Sequence, residues 1–164
     1  MDIDAAIEDL EAQAYFASIG VAETPKYSKV IIQVDYISPE SPTSYLSWPI
    51  IGKDFIAGFD AKGQDGKLAW LLIPTRALQS ITSTFGEIEM EELEAIGLLS
   101  KKVLGERVQV RFVNRSSAIS GVLIRVQENF LSIRLPSLNL IHVNLSAVRY
   151  LAVEKLKTRD QHSA

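Results

Sequence analysis

Apolar and polar positions alternate with a period of two through much of this chain. "VIIQVDYI" up to Ile37, "RVQVRFV" from Arg107 and "FLSIRL" from Phe130 place β-branched or aromatic residues at alternate positions, as strands with one buried face do. Two stretches follow another period. Ile3, Ile7, Leu10 and Ala14, and later Ile88, Leu93, Ile96 and Leu99, fall at or near helical spacing. Acidic residues crowd the start of both, where they complement a helix dipole, and Gly20 and Gly105 stand where helices stop. Turn formers separate the strands, most densely in "SPESPTS" and "DAKGQDGK".

These elements come twice in the same order. "IEDLEA" (Ile7–Ala12) matches "MEELEA" (Met90–Ala95), and "KVIIQVDYI" (Lys29–Ile37) matches "RVQVRFV" (Arg107–Val113). "KDFIAGF" (Lys53–Phe59) then matches "ENFLSIRL" (Glu128–Leu135), and "LLIPTRALQSI" (Leu71–Ile81) matches "IHVNLSAVRYL" (Ile141–Leu151). The offset falls from 83 (Ile7 to Met90) to 75 (Phe55 to Phe130) and 70 (Ala77 to Ala147), because the first copy has the longer insertions. The expected fold is mainly β: two tandem five-stranded antiparallel barrels, each preceded by a short acidic α-helix. The boundaries fall at residues 1–85 and 86–154, with a polar tail over 155–164. Barrels of about 60 residues bury little core alone, so the copies are expected to pack together or self-associate.

The second copy, with "SAISGVLI", "ENFLSIRL" and "IHVNLSAVRYLAV" in succession, resembles the Sm-like family, which includes Sm, LSm and bacterial Hfq proteins. Asn114 opens the polar loop, Gly121 takes the place of the family's strand glycine, and Glu128-Asn129-Phe130 takes the turn into the third strand. The resemblance covers residues 109–153 well and 29–81 more loosely. It implies SH3-like barrels, self-association and single-stranded RNA as ligand, with Asn129 or Phe130 facing it. The family's second motif is not matched: Asn144-Leu145-Ser146 and Pro74-Thr75-Arg76 stand in its place, and only Arg76 keeps a cation.

Charge divides the chain. Residues 1–100 hold 6 Lys+Arg against 16 Asp+Glu, a net of −10; residues 101–164 hold 11 against 4, a net of +7. This asymmetry fits a basic face for a polyanion, or halves that attract each other. Alternation puts Arg107, Gln109 and Arg111 on one face of a strand, while Arg125 and Arg134 flank the turn that holds Phe130. Cations around an exposed aromatic suit a single-stranded nucleic acid, whose phosphates they neutralise while a base stacks on the ring. The competing reading of "FLSI" buries Phe130 in the core as part of an alternating strand.

The candidate nucleic-acid residues are therefore Arg76, Arg107, Arg111, Arg115, Arg125, Asn129, Phe130 and Arg134. Two functions are carried forward: non-enzymatic binding of single-stranded RNA through the basic second barrel, and a protein-interaction or oligomeric scaffold. Catalysis is not expected, since no nucleophile, base and orienting group come together. The chain has no cysteine, and its histidines, His142 and His162, stand twenty residues apart, so neither a metal nor a cofactor is expected. No apolar run reaches the roughly 18 residues of a membrane span, and a cytoplasmic protein with no membrane partner is expected.

Overall fold

The computed structural model describes residues 31–38, 41–60, 69–83, 90–115 and 117–153. The first acidic segment and the polar tail lie outside the described residues. Ten strands follow one another as β1 (Ile31–Tyr36), β2 (Ser44–Ile51), β3 (Phe55–Asp60), β4 (Ala69–Pro74), β5 (Leu78–Ser83), β6 (Arg107–Phe112), β7 (Ala118–Gln127), β8 (Phe130–Arg134), β9 (Leu140–Asn144) and β10 (Val148–Val153). They form one open antiparallel sheet in the order β5-β1-β2-β3-β4-β10-β6-β7-β8-β9.

Each half of the chain thus supplies five consecutive neighbours, and the halves are joined where β4 pairs with β10. The matched sequence segments adopt matched geometry. β1 and β6 alternate in burial in the same phase, with Ile32, Val34 and Tyr36 answering Val108, Val110 and Phe112. A 3-10 turn, Thr75–Ala77 or Leu145–Ala147, leads into the last strand of each half. The turn's first amide donates to the loop before the third strand in both, Thr75 to the Asp54 carbonyl (3.0 Å) and Leu145 to the Asn129 carbonyl (2.7 Å).

The seam between the halves is apolar on both sides. Leu72 pairs with Leu151 and Trp70 with Val153, and all four belong to the larger core cluster. Leu71 pairs with Ala152, and these two belong to the smaller one. Continuous apolar strands such as "AWLLIP" are those buried on both faces, and β4 is buried at every position after Ala69. The larger core holds the inward residues of β6–β10 together with Phe55, Ala57 and Phe59 of β3; the smaller one holds Ile32, Val34, Leu46 and Ile56.

Helix α1 (Ala95–Leu98) continues as a π-type turn over Leu99–Val103 and buries Ala95, Leu98, Leu99 and Val103 in the larger core. It ends at Gly105, whose φ of +88° suits a residue without a side chain. The acidic run does not lie within the helix, contrary to the helical reading of "MEELEA". Met90 forms a parallel bridge with Ile51, the Glu91 amide donates to the Ile51 carbonyl (2.7 Å), and Glu94 is extended. The helix starts later because the Asp54 carboxylate accepts from the Ala95 amide at 2.8 Å, a partner contributed by the other half of the chain.

Gly121 is required by close approach: a Cβ there would collide with the Arg134 carbonyl of β8. A Gly121→Ala variant is expected to lose about 1–3 kcal/mol of stability through overpacking. Leu131→Ala, at a fully buried position, is expected to lose about 2–5 kcal/mol. Phe130→Ala, one residue away on the opposite face, is expected to lose less than about 1 kcal/mol. Urea denaturation followed by circular dichroism measures all three.

Candidate nucleic-acid interface

Strand register decides which of the predicted residues meet. In β8, Leu131 and Ile133 are fully buried, so Phe130, Ser132 and Arg134 point to the opposite face. Directly paired residues of antiparallel strands share a face. Arg107 pairs with Val122, Val122 with Arg134, and Arg134 with Leu140. Arg125 pairs with Ser132 and Ser132 with His142; Gln127 pairs with Phe130 and Phe130 with Asn144. An irregularity in β7 between Leu123 and Arg125 keeps Arg125 on this outer face.

The outer face of β6–β9 therefore carries Arg107, Arg111, Arg125, Arg134 and Phe130 together. Two strand spacings, about 10 Å, separate Arg107 from Arg134. Arg107, Arg125 and Arg134 are exposed and Arg111 is half-buried. Phe130 is 48% exposed, which corrects the reading that buries it: Leu131 and Ile133 set the phase of "FLSI", and Phe130 falls on the outer side with Ser132.

Phe130 lines an open concavity of about 410 Å³ with Arg125, Gln127, Glu128, Ser132 and His142. His142 is held in its wall, its Nδ1 lying 2.7 Å from the Ser132 hydroxyl. Glu128 sits in the tight β7–β8 turn with φ of 52°, the left-handed region. The concavity thus offers an aromatic face, a guanidinium, an imidazole and an amide, with one carboxylate at its rim. His142 and Gln127, not among the predicted residues, line this concavity. Their pairing with Ser132 and Phe130 was the missing signal, and only the register supplies it.

Asn129 and Arg76 meet elsewhere. They line a second concavity of about 270 Å³ with Asp54, Pro74, Thr75, Asn144, Leu145 and Ser146, where the 3-10 turns of the two halves come side by side. The Asn144 side chain accepts from the Ser146 amide (3.0 Å) and hydroxyl (2.8 Å), which fixes this loop. Phe130 separates from Asn129 because they lie on either side of the point where the turn enters β8. Asn129 and Phe130 thus fall in two concavities, one at the seam and one on the sheet face.

Arg115 joins neither group. Its guanidinium lies 4.2 Å from the centre of the Phe112 ring, and Phe112 faces the core, so Arg115 shields that end of β6 by a cation–π contact. Arg149, not among the predicted residues, links the halves: it donates to the Ser41 hydroxyl at 2.5 Å and lies 5.9 Å and 5.6 Å from the rings of Tyr36 and Tyr150. Tyr36 is hydrogen-bonded to Ser44 at 2.9 Å, and burial pushes its phenol well above the ordinary range.

The described acidic segment before α1 docks on the first half. Lys53 bridges Glu92 at 3.0 Å, a hydrogen bond that raises the affinity of its ammonium for the proton, and the Lys53 amide donates to the Leu93 carbonyl at 2.7 Å. Among the described residues no cluster of three His, Asp or Glu side chains has the arrangement of a metal site, and no helix is long and apolar enough to cross a membrane. Asp54→Ala, which removes the acceptor of the Ala95 amide, is expected to cost about 0.5–2 kcal/mol, and Asp54→Asn to restore most of it; thermal denaturation of the two variants tests this. Neither the protein-family models nor the curated proteins yield a match to this chain.

Proposed function

We propose that this protein binds single-stranded nucleic acid, RNA in the first instance, on the outer face of β6–β9. The observation that carries this reading is the sharing of one open sheet face by Arg107, Arg125, Arg134 and the exposed ring of Phe130. A single strand exposes both its phosphates and the flat faces of its bases. Guanidinium groups release counterions from the first, and an aromatic ring stacks on the second. A duplex hides its base faces and gains only from the cations. Gln127 and His142 beside Phe130 add hydrogen-bonding groups for a base edge, so that some preference among bases accompanies stacking.

In this reading the chain is a pair of Sm-like barrels. Its support is the repeated strand order within each half, the matched 3-10 turns and Gly121 closing β7 onto β8. The seam concavity with Arg76, Asn129, Asn144 and Ser146 is then a secondary contact, with one cation and no exposed aromatic ring. A scaffold role has its own support in the sheet's two terminal strands, β5 and β9, where Ile81 and Leu140 are 40% and 48% exposed.

Fluorescence anisotropy with labelled oligo-U, oligo-A and a duplex of equal length, titrated with salt, tests the proposal. Single strands are expected to bind more tightly than the duplex. Arg125→Ala/Arg134→Ala is expected to flatten the log–log salt slope by about 1.4, the contribution of two phosphate contacts on a single strand. Phe130→Ala is expected to weaken single-strand binding by about 1–3 kcal/mol without changing that slope. Absence of binding at low salt overturns the reading.

A further inference from the structure

The two halves place equivalent backbone under unequal cover. On the first half, the face formed by Phe55, Ala57 and Phe59 of β3 and by Trp70 and Leu72 of β4 is packed into the larger core with Ala95, Leu98, Leu99 and Val103. The inward residues of β6–β10 share that core, and the segment that adds α1 to it starts with "MEELEA", tied to the first half by polar contacts at its N-terminal end: Lys53 to Glu92, the Lys53 amide to Leu93, and the Ala95 amide to Asp54. At the matched positions of the second half stand Phe130, Ser132, Arg134, Leu140 and His142. Ser132 is buried, but Arg134 and His142 are exposed and Phe130 and Leu140 are each 48% exposed.

The chain holds one more segment of the kind that covers the first face. Residues 1–20, "MDIDAAIEDLEAQAYFASIG", include "IEDLEA", five carboxylates (Asp2, Asp4, Glu8, Asp9, Glu11) and no lysine or arginine. They lie outside the described residues. The open face they would match carries Arg107, Arg125 and Arg134, so the charges are complementary. Apolar Ile7, Leu10, Tyr15 and Phe16 are available for Phe130 and Leu140.

We propose that the acidic N-terminal segment of a second copy docks on the outer face of β6–β9 and competes there with nucleic acid. The competition rests on the proposed function; the docking does not. A second copy is the fitting source because Met90–Ala95 is tied to Ile51, Lys53 and Asp54, in the half that lies across the seam from its own strands. Repeating that relation sets the first half of another copy beside β9. One contact is altered: Lys53, which bridges Glu92, is matched by Glu128, which would face Asp9. The contact is therefore weaker than the internal one and reversible, as competition requires.

The experiment titrates the full chain into a fluorescent peptide of residues 1–20 and follows the chain's own association by light scattering over a range of concentrations. Binding of the peptide is expected, with concentration-dependent association of the chain. Arg125→Glu/Arg134→Glu is expected to weaken both by about tenfold or more while leaving the thermal midpoint in place, since both side chains are exposed. Combining it with Glu8→Lys/Asp9→Lys/Glu11→Lys is expected to restore association, and Glu128→Lys alone to tighten peptide binding. A peptide that does not bind, or association indifferent to the charge reversal, overturns the docking. If the peptide binds and no oligonucleotide does, the docking stands and the proposed function falls. If oligonucleotides bind and excess peptide fails to displace them, the competition falls and the proposed function stands.

Discussion

Pairing of β4 with β10 is the interaction on which the remainder of the molecule depends. It converts two five-stranded runs into one sheet and buries both faces of the central strands: Leu72 and Leu151 on one side, Leu71 and Ala152 on the other. Neither half has enough apolar surface to form a substantial core alone. Joined, they form a core that takes side chains from β3, β4, α1 and all five strands of the second half. Arg149 reinforces the seam by reaching Ser41 and the Tyr36 and Tyr150 rings.

The seam also makes the halves unequal. Phe55, Ala57, Phe59 and Leu72 are apolar and covered, while of their counterparts Ser132 is buried and Phe130, Arg134 and His142 are exposed. The division of charge along the chain follows the same logic. Among the described residues, the acidic run before α1 lies against the first half at Lys53, while four arginines of the second half collect on the open sheet face. Arg107, Arg125 and Arg134 are exposed there and keep their charge at little desolvation cost.

Alternation of apolar residues was enough to locate strands, because the pleat repeats every two residues. The order of matched segments anticipated the paired 3-10 turns, and Gly121 was legible as a strand glycine, though only the structure shows β8 crowding against it. The start of α1 was not legible. Its acidic approach carries helical spacing, but the Asp54 carboxylate, 41 residues away, holds the Ala95 amide. Nor was Arg115 separable from the other arginines until its guanidinium was seen over the Phe112 ring.

By itself the sequence determined a mainly β chain of two similar halves, an acidic front and a basic back, since local periodicity and composition carry those properties. The tertiary structure decided which edges join, that Phe130 faces outward, and that Arg107 comes into line with Arg134 while Arg76 and Asn129 meet at the seam. "FLSI" is compatible with either phase, and Leu131 and Ile133 win because the core lies on their side. The physical reason is that a strand's hydrogen bonds and faces are completed by its neighbours, and the neighbours of β8 and β10 are chosen by long-range packing rather than by adjacent residues.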